Sequence, residues 1–124
     1  MNVEEWQDYL NKIAGKVNSY EECVELFEGI GETVFQYKVT DKPEYSFYQE
    51  YKGMKMKNTV GFVENPVVTH IMKLQVIQDV FNGKVNPIKA TAAGKYAIKG
   101  SMAKLLKASG FIAYVKKAHS EIME

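Results

Sequence analysis

Apolar residues recur every three or four positions at both ends of this chain and alternate with polar ones in the middle. Trp6, Tyr9, Leu10, Ile13 and Val17, with charges between them, predict an amphipathic helix over residues 3–17. Ser19 followed by Glu22 reads as a capping box opening a second helix, which carries Cys23, Leu26, Phe27 and Ile30 and ends at Gly29–Gly31. Period two then takes over. Phe35, Tyr37 and Val39 form one alternating run; Tyr45, Phe47 and Tyr51 form a second; Met54, Met56, Val60 and Phe62 form a third. Asp41-Lys42-Pro43 and Lys52-Gly53 supply the turns between them, so an antiparallel meander is expected. A fourth strand runs from Val67 to about Leu74 after the Glu64-Asn65-Pro66 break, and a fifth covers Lys95 to Lys99.

The helical period returns with Val76, Ile77, Val80 and Phe81, a stripe that stops at Gly83. Asn86 caps a short helix with Pro87 at its first position, where a missing N–H costs nothing. Ser101 caps a helix bearing Met102, Leu105 and Leu106, ended by Gly110; a last helix carries Phe111, Val115, Ala118 and Ile122. The expectation is one α+β domain spanning 1–124, a five-stranded, mostly antiparallel sheet with helices over one face.

Composition narrows the function classes. Forty-six per cent hydrophobic and 25 per cent charged residues make a globular chain rather than a disordered one. The lone Cys23 has no internal partner, as in a reducing compartment. With no signal-peptide pattern and no membrane-length apolar run, a soluble cytoplasmic protein is expected. Residues 1–62 hold 7 lysines against 11 carboxylates, and residues 63–124 hold 9 against 4. That basic second half suits transient contact with an anionic membrane surface. There is no arginine, the residue that most often reads phosphate and base edges, so no nucleic-acid partner is expected.

Converging catalytic groups are scarce. His70 and His119 fit no metal-ligand spacing, and Cys23 sits among apolar helix residues as an inert thiol. No G-x-S-x-G, P-loop or dinucleotide fingerprint occurs, and Gly29-Ile30-Gly31 precedes a strand rather than opening a helix. His70 with a strand tyrosine, Tyr37 or Tyr48, is the one polar cluster a cavity could use. No catalytic residue, metal or cofactor is expected.

The segment from Phe81 to Met102 carries the most specific signal. Gly83-Lys84, Asn86-Pro87, Ala90, Gly94-Lys95, Ile98 and Gly100 stand in an order and spacing that resembles the sterol carrier protein-2 family, here as a stand-alone prokaryotic member. These residues frame architecture, turning the chain between elements, rather than forming a reactive site. The resemblance implies a hydrophobic tunnel between sheet and helices that binds, and transfers, a fatty acid, acyl-CoA, phospholipid or similar lipid. Its implied wall takes Phe35, Phe47, Met54 and Met56 from the sheet and Val76, Ile77, Val80 and Phe81 from one helix. Met102, Leu105 and Leu106 come from another helix, and Phe111, Ile112 and Val115 from the last. Lys84, Lys95 or Lys104 would meet an acidic head group, and residues 111–124 would act as a lid hinged at Ser109-Gly110. Thr91-Ala92-Ala93 replaces the bulky residue common after the motif alanine, so ligand class does not carry over. The alternative is an interaction or homodimerisation module of the same fold with a filled core.

Overall fold

Helix α1 (Val3–Ser19) starts at Asn2, whose side chain accepts from Glu5 N–H while the Glu5 carboxylate accepts from Asn2 N–H. This reciprocal pair is a capping box. The box expected at Ser19 and Glu22 does not form. Ser19 is the last residue of α1, and its hydroxyl donates to the Lys16 carbonyl instead. A single 3-10 turn, Glu21–Cys23, leads into α2 (Val24–Ile30), which stops at Gly31.

A computed structural model describes residues 1–124 as this helical pair, a sheet and four further helices. The strands are β1 (Thr33–Val39), β2 (Phe47–Lys52), β3 (Lys55–Val60), β4 (Val68–Met72) and β5 (Tyr96–Gly100). Between β4 and β5 lie α3 (Leu74–Phe81) and α4 (Pro87–Ala92); α5 (Met102–Ser109) and α6 (Ile112–Ile122) follow. The sheet order is β3-β2-β1-β4-β5, and β1 with β4 is the one parallel pair. The architecture is α+β with a mixed five-stranded sheet.

The meander of β1, β2 and β3 forms as the alternation predicts, but β4 does not extend it past β3. The chain crosses back over the sheet's wet face and inserts β4 beside β1. Gln36, facing outward from β1, holds this crossing: its amide donates to the carbonyls of Phe47 (3.0 Å) and Gly61 (3.1 Å) and accepts from Val63 N–H (2.9 Å). Pairing preference alone cannot reveal such a crossing, because strand alternation reads the same beside either neighbour.

The helices cover the other face. Trp6, Leu10, Ile13 and Val17 of α1 are fully buried against it, and the Trp6 indole donates to the Tyr45 carbonyl at 2.8 Å. α1 also closes the free edge of β3. Gln7 accepts from Val60 N–H (2.7 Å) and donates to Asn58 O (2.9 Å). Asn18 accepts from Met56 N–H (2.7 Å) and donates to Met56 O (2.9 Å). Asp41, after β1, caps α3 by accepting from Leu74 N–H at 2.9 Å. Asn86 and Ser101 cap α4 and α5 as the sequence predicts.

Two turns set local limits. Gly53 and Met54 both have positive φ, 60° and 63°, in a two-residue hairpin closed by the Lys52–Lys55 pair. That is the primed turn favoured by strand twist. It removes Met54 from the strand and leaves it 44% exposed. Gly100 has φ of 119°, and a Cβ there would lie 2.3 Å from the Val67 carbonyl oxygen. Gly100→Ala is therefore expected to destabilise by about 2 kcal/mol or more, lowering Tm by roughly 8 °C in a thermal melt. Met54→Gly should do the reverse, stabilising by about 1 kcal/mol because glycine adopts the left-handed turn without strain.

Candidate functional site

Above the β1–β4–β5 side of the sheet lies a cavity of about 410 Å³, within the range of small-ligand sites. Its walls come from α3, α4, α5 and the start of α6. Ile77, Val80 and Phe81 project from α3, and Met102, Leu105, Leu106, Ala108 and Ser109 from α5. Phe111, Ile112 and Val115 close one end, while Asn86, Pro87, Ile88 and Thr91 stand at the other. No lysine or carboxylate lines it.

The floor is the sheet, and here the lining turns polar. Tyr37, Gln49, Tyr51, His70, Tyr96 and Ile98 face the cavity. Strand register explains the grouping: Tyr37 pairs with Phe47 on one side and His70 on the other, and His70 pairs with Ile98. Tyr37 stacks between its two neighbours, 4.6 Å from the Phe47 ring and 4.4 Å from His70, nearly parallel to both. The Tyr96 hydroxyl and His70 Nδ1 are 2.8 Å apart. Tyr51 donates to Gln49 Oε1 at 2.6 Å, and the Gln49 amide donates to Asn58 Oδ1 at 3.0 Å.

Burial governs the titration of this floor. It pushes the hydroxyls of Tyr37, Tyr51 and Tyr96 upward, so all three stay protonated, and lowers His70 to about 4. His70 is thus neutral near neutral pH. Cys23 is wholly buried and its thiol is raised, chiefly by burial, which makes it a poor nucleophile.

The sheet and helix residues expected in the wall separate into two groups. Ile77, Val80, Phe81, Met102, Leu105, Leu106, Phe111, Ile112 and Val115 surround the cavity, joined by the motif residues Asn86, Pro87 and Ile98. Phe35, Phe47 and Met56 lie instead in solid core beneath α1 and α2, Val76 is half-buried beside that core, and Met54 is in the exposed hairpin turn. The remaining motif residues are structural: Gly83, Lys84, Gly94, Lys95 and Gly100 sit at element ends, and Ala90 packs into the core. Lys84 and Lys95 point to solvent away from the lining, and the Lys104 ammonium donates to the Ile30 carbonyl at 2.7 Å. None of the three is placed to grip a head group inside.

The lid expectation also changes. α6 is tied down: Val115 and Ala118 are buried, Tyr9 and His119 share a 2.8 Å hydrogen bond, and the Tyr20 hydroxyl bonds Glu121. α5 is the roof, its Leu105 and Ala108 only partly buried against the core and its Lys104 tied to the Ile30 carbonyl. Of the polar pair expected at His70, Tyr37 is present and Tyr48 is on the opposite face of the sheet. The partner missed is Tyr96, which begins β5 and reaches His70 diagonally across the β4–β5 ladder. Only knowledge of which strand lies beside β4 brings it into view.

His70 makes stability depend on pH. Its folded-state pKa lies below the ordinary value, so its contribution is complete above pH 6.5 and lost as pH falls toward about 4. Urea titrations across that window should show the wild type losing on the order of 3 kcal/mol that His70→Phe does not lose.

The model of the SCP-2 sterol transfer family matches residues 10–113. No protein of curated function matches the chain. Among solved structures, the sterol carrier protein domain 2 of Helicoverpa armigera is 25% identical with a TM-score of 0.66, over 93% of this chain and 88% of that one. A UbiJ-SCP2 ubiquinone synthesis protein superposes with a TM-score of 0.70 at 11% identity, covering 94% of each chain. Apo sterol carrier protein 2 of Yarrowia lipolytica gives 0.61 at 20% identity, over 90% of this chain and 87% of that one. The family model spans most of the chain and these structures share its fold, and the chain belongs to the SCP-2 sterol transfer family.

Proposed function

We propose that this protein binds one long-chain lipid in the cavity between sheet and helices and transfers it to or from an anionic membrane surface, without catalysis, as a cytoplasmic carrier. The observation that carries this reading is an uncharged, mostly apolar cavity of about 410 Å³ roofed by a helix that buries none of its own residues. An apolar tail entering it gains about 0.8 kcal/mol per methylene removed from water. For a tail of about 16 carbons that is roughly 12 kcal/mol gross, before the cost of ordering the chain. Fatty acid, acyl-CoA and phospholipid tails all meet this requirement. A head group carrying charge stays at the mouth.

The mouth supports the membrane step. Residues 80–120 contain eight lysines and no carboxylate. Within that stretch Ile88 is 79% exposed and Leu106 71%, and both also line the cavity. Exposed Lys89, Lys95, Lys99 and Lys107 stand on or between the same elements, α4, β5 and α5. Apolar side chains ringed by cations suit insertion into an anionic interface, each lysine adding about 1 kcal/mol near the surface.

Titrating delipidated protein with a fluorescent fatty acid, competed by palmitate, palmitoyl-CoA and cholesterol, tests the binding step. Saturable one-site binding is expected, weakened at least about tenfold by Ala108→Trp, which fills the cavity. In flotation assays the protein should follow phosphatidylglycerol vesicles and not phosphatidylcholine ones, and Lys89→Glu combined with Lys107→Glu, at exposed positions outside the cavity lining, should abolish this without changing fatty-acid affinity. A folded protein that binds none of the probes, or a homodimer that hides Ile88 and Leu106, would point to an interaction module instead.

A further inference from the structure

Every hydroxyl that lines the cavity has a partner in the protein except one. Thr91 and Ser109 donate to the Pro87 and Leu106 carbonyls, Tyr51 donates to Gln49, and Tyr96 shares its bond with His70 Nδ1. The Gln49 amide is spent on Asn58 Oδ1 and the Met56 sulfur. The Tyr37 hydroxyl makes no hydrogen bond to the protein. Two other unpartnered side-chain atoms, Thr33 Oγ1 and His70 Nε2, are sealed from water, whereas the Tyr37 oxygen is not. The way to it is through the cavity. Tyr37 stands on the helix-covered face of β1 with Phe35 and Val39, both fully buried. Both faces of its ring are covered, by Phe47 at 4.6 Å and His70 at 4.4 Å, so its edge and tip are what the cavity meets. Stacking between residues of two neighbouring strands also holds the hydroxyl in place.

We infer that the Tyr37 hydroxyl is a docking point for a neutral oxygen on the buried part of the ligand, a keto or hydroxyl oxygen carried by the chain itself. This rests on the lipid-binding reading above and deepens it. Burial raises the Tyr37 pKa, so the hydroxyl keeps its proton and offers an O–H donor at neutral pH. A saturated tail lying over it displaces water and returns no acceptor, which leaves the donor unpaired. A carboxylate fits poorly there, since no lysine lines the cavity and an unpaired buried charge is costly. A keto oxygen accepts from the hydroxyl, and a chain hydroxyl both accepts from it and donates to its lone pairs. Any charged head group stays at the mouth, and this oxygen is a second polar point farther in.

The test displaces a fluorescent fatty acid with straight-chain ketones of equal length, the carbonyl moved along the chain, and with the parent alkane. One carbonyl position, or two adjacent ones, should bind best. The ratio of that ketone's affinity to the alkane's should fall about tenfold in Tyr37→Phe, the worth of one hydrogen bond to a buried donor. Tyr37→Phe keeps the ring between Phe47 and His70, and taking the ratio within each protein cancels the ligands' difference in water. The alcohol with its hydroxyl at the same position should show the same dependence on Tyr37. Bound to wild type, the carbon-13 carbonyl of the best ketone should show an infrared stretch lowered from its value in hexane, and in Tyr37→Phe the lowering should vanish. The positional profile and the wild-type stretch decide the matter even if the variant does not fold. A flat profile along the chain, as when a bound water already satisfies the hydroxyl, overturns the docking point while lipid binding stands. So does a ketone advantage that survives in Tyr37→Phe, or an unshifted stretch. Failure of the fluorescent fatty acid and every competitor to bind overturns both.

Discussion

The bond between α1 and the free edge of β3 is the constraint on which the hollow half of this fold depends. An edge strand exposes unpaired N–H and C=O groups that invite another strand. Gln7 and Asn18 each present one acceptor and one donor to that edge, as the peptides of a sixth strand would. On the same helix as these two clamps, Trp6, Leu10, Ile13 and Val17 are buried completely. The sheet is therefore fixed from one side, and the ladder from β3 to β5 carries that rigidity to strands with little packed above them. A void costs stability in proportion to its size, so the solid half must hold the structure for both.

The polar floor follows from the same division. Phe35 and Phe47 are wholly buried on the same sheet face and pack against its tyrosines and imidazole, whereas the strand residues that border the cavity are mostly tyrosines, an amide and an imidazole. Each hydrogen-bonded pair there fixes a ring or an amide that apolar packing would otherwise fix. Stacking does the rest, with Tyr37 as the shared layer between the Phe47 and His70 rings. Polar order thus replaces close packing along the cavity floor, as buried hydrogen-bond networks can.

The helices, the strand count and the frame from Gly83 to Gly100 were legible because periodicity and capping are local properties. Asn86 and Ser101 show this, each bonding an N–H within three residues. Position in the sheet is not local. The parallel placement of β4 beside β1 depends on Gln36 pinning a crossing loop, and that placement decides that His70 meets Tyr37 and Tyr96. Apolar character likewise cannot separate wall from core: Phe47 and Phe81 read alike, yet only Phe81 borders the cavity. Met54 failed for a different reason, since a primed turn overrode its place in an alternating run. Ser19 and Glu22 matched a capping pattern, but α1 simply continues through Ser19.

With Leu105 and Ala108 only partly buried, α5 draws little folding free energy from packing, the main source of stability for helices this short. For α5 the missing partner surface is whatever occupies the space beneath Leu105. A lipid bound there as proposed would act as the last layer of the hydrophobic core, supplied from outside the gene. Filling it removes apolar surface from water and carries the negative heat-capacity change of a folding step. The thermodynamic stability of the domain would then rise with the amount of such a ligand in its surroundings.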